Sequence, residues 1–199
     1  SSRYNVLKSE KNYNNEIGVP FTLLGLNEKH THAVIEMGMN HAGEISRLSA
    51  IVKPDMAVIT SIGEGHLEFL GSVENVARAK AEILENMKPG SPVVINRDIP
   101  CLDLLCDMAR ERNLSVITCG LSDAADVRPE SYHLTRDGIE LFLDGARISV
   151  PVYGIHNLYN ILAALALAEI AGISPSEAAM SLADFETVGG RGQIIDRGY

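Results

Sequence analysis

Along the first 120 residues, apolar runs of strand length alternate with stretches of helical period, the pattern of a parallel sheet wrapped by helices. The runs Ala33–Glu36, Met56–Ser61, Pro92–Asn96 and Leu114–Thr118 predict strands, and Gly43–Lys53, Ser72–Lys88 and Cys101–Arg112 predict the helices between them. Each helix ends on a stop signal such as Lys88-Pro89-Gly90. From Val127 to Val150 the rhythm shortens around Asp137-Gly138 and Asp144-Gly145, tight-turn dipeptides that predict a β-hairpin appendage. Asn157–Ala171 is apolar on most sides and predicts a buried helix, followed by another that Ser174 caps and Pro175 opens. At the start, Arg3–Leu7 reads as a strand. At the end, Thr187–Gly192 reads as a hinge, and Gln193–Asp196 as the first strand of a further domain. The expected architecture is α/β, a mostly parallel Rossmann-like sheet flanked by helices with the hairpin appended. Residues 1–186 would form one domain and 187–199 the opening of a second, with the chain cut at both ends.

Composition narrows the partners. A formal charge of -9 and an isoelectric point near 5.1 give no basic field for a nucleic-acid backbone, so a nucleotide or other anion needs local N–H groups, a placed cation or a metal. The three cysteines, Cys101, Cys106 and Cys119, are odd in number and fall at no zinc-ligand spacing, which suits a reducing cytosol. The polar N-terminus does not read as a secretory signal, and the longest apolar run, Ile161–Ala168, is far below the roughly 20 residues of a membrane helix. A soluble intracellular protein is expected, without nucleic-acid or membrane partners.

Four segments carry candidate chemistry. Glu36 ends an apolar strand and precedes Gly38; in open α/β sheets ligands bind beyond the carboxyl ends of strands, so Glu36 is placed to hold magnesium, although strand-end carboxylates also serve as simple helix caps. His66 follows another strand on the glycine-containing loop Ile62–Gly65; a lone loop histidine is more often an exposed bystander, and its place after a strand is what favours a role in the site. Lys80 lies on the stripe formed by Val73, Val76, Ala77, Ile83, Leu84 and Met87, while Glu74, Arg78, Glu82 and Glu85 take the solvated side. An ammonium on an apolar face must snorkel, find a partner or lose its charge. Asn157 and Asn160 stand three apart at a helix start, where their amides can read a purine edge and the dipole favours phosphate; Asn157 can equally be a cap.

Taken in order, these segments resemble the Mur ligase family. The stretches Asn12–Pro20, Glu36–Ile45, Ala79–Ile83, His156–Asn160 and Gly190-Arg191 point to its branch that adds D-alanyl-D-alanine to UDP-N-acetylmuramoyl-tripeptide. The resemblance implies a central nucleotide-binding domain of the phosphate-loop type, ATP as cosubstrate and an acyl phosphate intermediate. It implies two magnesium ions, the first on Glu36 and the second on His66 and a carbamylated Lys80. It assigns Asn157, Asn160 and Arg191 to ATP, and Asn14, Asn15 and Asn40 to the UDP-muramyl substrate, in a monomer of the bacterial cytoplasm.

One departure stands out: the family's loop G-x-x-G-K-[ST] is missing, and Gly-Lys occurs nowhere in the chain. The 199 residues alone are therefore expected not to turn over. Two other readings stay open, a metal-dependent hydrolase built on Glu36, His66 and a third ligand, and a non-catalytic binding module.

Overall fold

The computed structural model describes residues 3–185. In chain order, β1 (Val6–Lys8), α1 (Gly18–Leu23), β2 (His32–Val34), α2 (Glu44–Val52), β3 (Ala57–Ile59), α3 (Leu67–Leu70) and α4 (Val73–Ala81) are followed by a 3-10 turn at Glu82–Asn86. Then come β4 (Pro92–Asn96), α5 (Leu102–Glu111), β5 (Ser115–Cys119), β6 (Ser131–Thr135), β7 (Gly138–Leu143), β8 (Ala146–Val150), α6 (Ile155–Ile170) and α7 (Pro175–Ala183). The α/β class with helix-flanked parallel strands is as expected. The parallel strands form two ladders, β1–β2 and β3–β4–β5, rather than one.

Central strand β4 explains the core. Successive side chains of a strand point to opposite faces, so Val93 and Ile95 pack with Leu84 and Leu105 beneath α4 and α5, whereas Val94 joins Leu158 and Leu162 of α6 on the other side. Burial on both faces is what makes this strand an unbroken apolar run.

The expected hairpin appendage is corrected in two respects. Residues 131–150 form a three-stranded antiparallel meander, β6–β7–β8. It is also part of the core: Ile139, Leu141, Ile148 and Val150 face inward and pack with α6 and α7, while Glu140, Arg147 and Ser149 point away. The alternation in β8 carried that information, since a solvated hairpin needs no apolar face. Gly138 is required at the first turn, because a Cβ there would lie 2.2 Å from the Val150 carbonyl oxygen.

The helix expected over 72–88 is α-helical only to Ala81 and then tightens. Pro89 disfavours α geometry in the residue before it, and Met87 is extended. Tightening eclipses side chains three apart, which places Glu82 and Glu85 together facing α2. Ser72 caps α4 by accepting from Asn75 N at 3.2 Å, and Ser174 and Glu177 form a reciprocal capping box on α7. The short elements α1 and α3 were not foreseen. The hinge and strand expected beyond residue 186, with Arg191, lie outside the described residues.

Candidate functional site

The carboxyl ends of the parallel strands carry the candidate groups. Beyond β2, Glu36 is exposed, its backbone N–H donates to Ser9 Oγ at 3.0 Å, and its Oε1 accepts from Asn14 Nδ2 at 2.8 Å. Asn14 is pinned from both sides, because its carbonyl accepts from Gly38 N at 2.7 Å and a Cβ on Gly38 would come within 2.9 Å of its amide. The parallel register of β1 on β2 brings Ser9, Asn14 and Glu36 to one edge. The other two asparagines differ: Asn15 Oδ1 accepts from Ile17 N and Gly18 N at the start of α1, and Asn40 is exposed with its backbone N–H bonded to Glu44 Oε2 at 2.7 Å. That last bond is the main reason the Glu44 carboxyl sits below its ordinary value.

Beyond β3, the loop 60–66 leads into α3. His66 takes a left-handed backbone, φ 66°, costly for a non-glycine residue by about 1–2 kcal/mol, and is exposed at the start of that short helix. Lys80 lies eight residues into its expected helix, about 12 Å along the axis, so the helix has to begin well above the sheet edge for Lys80 to meet His66. The structure brings Lys80 to the loop of His66: its Nζ donates to the Ser61 carbonyl at 2.8 Å, five residues before His66. The side chain is partly buried, and burial pulls its ammonium below the ordinary lysine value. Among the described residues no bond joins Glu36 to His66 or Lys80, and no three His, Cys, Asp or Glu side chains converge as a metal cluster. The hydrolase reading therefore gains no third ligand among these residues.

Helix α6 starts at Ile155, so Asn157 lies within its first turn rather than capping it, and Asn160 lies in the second turn. Asn157 Nδ2 donates to the Tyr153 carbonyl at 2.8 Å, and its Oδ1 accepts from Asn160 Nδ2 at 3.2 Å. The two amides thus form a short polar chain, with Asn160 exposed.

Several groups at these edges were missed in the sequence. Asp98, just after β4, accepts from Leu121 N at 2.6 Å and from Ser122 N, and it lies near Tyr159, whose phenol is pushed up first by burial and then by the charge of that carboxylate. The His41 ring bonds Glu44 and packs tilted against the Phe69 ring of α3, with centroids 4.6 Å apart. Glu82, placed on the solvated side by an α-helical period, instead accepts from Gly43 N at 2.6 Å and Ser46 N at 3.1 Å. No local pattern announces the Asp98 and Glu82 contacts, whose partners lie far along the chain; His41 and Glu44 are three apart, but the Phe69 contact is long-range.

The chain matches the family model described as the Mur ligase middle domain over residues 1–168. It is 44% identical over 170 residues to UDP-N-acetylmuramoyl-tripeptide--D-alanyl-D-alanine ligase of Synechocystis sp., covering 85% of this chain and 36% of that protein. To the Bacillus subtilis protein of the same name it is 35% identical over 196 residues, covering 98% and 42% respectively. The fold superposes on a crystal structure of MurF from Acinetobacter baumannii with a TM-score of 0.91 at 28% identity, covering 99% of this chain and 44% of that one. It superposes on the Thermotoga maritima MurF ligase in complex with ADP with a TM-score of 0.81 at 26% identity, covering 96% and 44%. The chain thus spans less than half the length of each of these relatives. With the fold, the order of the segments and these likenesses in agreement, the chain belongs to the Mur ligase family, as its middle domain.

Proposed function

We propose that this chain is the nucleotide-binding middle part of a bacterial ligase that joins D-alanyl-D-alanine to UDP-N-acetylmuramoyl-tripeptide at the expense of ATP, acting as a monomer in the cytoplasm. The observation that carries this reading is Lys80: a lysine drawn off an apolar helix face onto the loop of His66, with burial disfavouring its ammonium. A larger neutral fraction makes Nζ a better nucleophile toward carbon dioxide. Nζ then forms a bond to the carbon and releases one proton, and a carbamate replaces the cation.

Magnesium suits this donor set. It keeps several waters and takes one or two carboxylates beside substrate phosphates, so a single exposed strand-end carboxylate, Glu36, fits a first ion, and the Lys80 carbamate with His66 fits a second. The ions would neutralise phosphate charge. In this reading a substrate carboxylate oxygen attacks the γ-phosphorus of ATP, and ADP leaves. The amine of the dipeptide then attacks the acyl carbon, losing a proton as phosphate departs, so the amide bond is made without a covalent enzyme intermediate. The protein's share is positioning and charge compensation. Asn14 fixes the rotamer of Glu36; Asn157 and Asn160 offer amides to the adenine; Arg191 would meet the phosphates; Asn15 and Asn40 border the muramyl substrate.

The test is the full-length protein with Lys80→Ala. Ligation should fall by about a thousandfold with the thermal midpoint retained, and the 13C carbamate resonance seen in labelled bicarbonate should vanish. Near-normal turnover in carbon-dioxide-depleted buffer overturns the assignment.

A further inference from the structure

The start of α2 lacks a cap of its own. Its N-cap is Gly43, at φ 85° and with no side chain to offer. The first N–H groups of a helix need acceptors, and here they find one in another element: Glu82 Oε1 accepts from Gly43 N at 2.6 Å and Oε2 from Ser46 N at 3.1 Å. Around this tie, Ser46 Oγ donates to Glu85 at 2.6 Å, and Asn86 Nδ2 donates to Ser49 Oγ at 2.8 Å. Met39, in the segment between Glu36 and Gly43, is buried with Val76 and Ala79 of α4.

The position of this tie gives it meaning. Glu36 lies two residues beyond β2 of the β1–β2 ladder and Lys80 bonds the loop that follows β3, and no strand pairing joins those ladders among the described residues. Glu82 is two residues from Lys80, and Gly43 is seven from Glu36. The geometry points to Glu82 as a positioning residue that registers the Glu36 side of the site against the Lys80 side, by serving as the borrowed cap of α2. A carboxylate suits the task because it spans two N–H groups and complements the positive end of the helix. The inference rests on the magnesium roles proposed for Glu36 and Lys80.

The experiment uses the full-length ligase with Glu82→Ala, Glu82→Gln and, as a cap removed away from the site, Ser174→Ala. Glu82→Ala should raise the magnesium concentration for half-maximal ligation about tenfold and lower kcat, with KM for the dipeptide little changed. Hydrogen exchange should speed about tenfold in the peptide spanning Gly43 and Ser46. Glu82→Gln, which keeps an acceptor without the charge, should recover part of the loss, and Ser174→Ala should leave the magnesium requirement alone. An unchanged requirement in Glu82→Ala, or an equal shift in Ser174→Ala, overturns the proposal, as does unchanged exchange at Gly43 and Ser46. Full activity of Lys80→Ala would overturn the underlying site assignment instead, a result read from a different variant.

Discussion

The two parallel ladders are built alike and held differently. In β3–β4–β5, Val93, Val94 and Ile95 are completely buried between helices on both faces. In β1–β2, every residue of β2 is exposed, Val34 to 63%, although Ala33-Val34-Ile35 is as apolar a run as a buried parallel strand. The first ladder is fixed by packing; the second is held, among the described residues, by polar ties of Ser9 and Asn14 to the Glu36 segment and of Tyr4 to the Ala171 carbonyl. Polar ties are directional and individually modest, so the part of the site that carries Glu36 leans on a few bonds and the small cluster around Met39, where the part carrying Lys80 leans on the larger core.

The contrast is broken most severely in the core. Leu105→Ala, at a fully buried position beneath β4, should cost about 3–4 kcal/mol in urea unfolding of this chain; a loss below about 1 kcal/mol would mean that the central ladder is not packing-dominated. A smaller effect is expected where a polar tie supports that same ladder. Asp126 accepts from Thr118 N at 2.7 Å and from its hydroxyl at 2.6 Å, and these bonds hold its carboxyl below the ordinary value, the hydroxyl contributing most. Because the folded pKa is lowered, the stabilisation is present above the unfolded value and is lost as pH falls through the folded one. Asp126→Asn should therefore cost about 1 kcal/mol at neutral pH, with the exposed carboxylate discounted for screening, and flatten the acid limb of the stability curve. An unchanged acid limb would count against the tie. The smallest effect belongs to the second ladder: Val34→Ala should change stability by no more than about 0.5 kcal/mol, and a core-sized loss would erase the difference between the ladders.

The same contrast explains what could be read from residues alone. Strand β4 was legible to its ends, because two-sided burial leaves an uninterrupted apolar run and Pro92 and Asn96 bracket it. The Lys80 stripe was legible because α-helical period and core packing coincide up to Ala81. Beyond that residue the period changes, and Glu82 was assigned to solvent by a rule that no longer applied. The meander was half legible: its turns announced themselves through Asp-Gly pairs, but its burial depended on a partner, α6, arriving later in the chain. Glu36 and His66 stood out by position after strands, whereas Asp98 and Tyr159 meet only through folding, across 61 residues.

The close approach of Gly38 to Asn14 sets the tolerance of the Glu36 edge in units of volume. Glycine is usually required for its backbone freedom, but here the constraint is the space of one methyl group, since an added Cβ would stand 2.9 Å from the amide that holds Glu36. A side chain at position 38 would therefore act on Glu36 at one remove, displacing its partner while leaving the carboxylate itself untouched. Drift at this position is limited by steric room for a neighbour two elements away, so the residue that looks least equipped for chemistry sets how far the acidic group can wander.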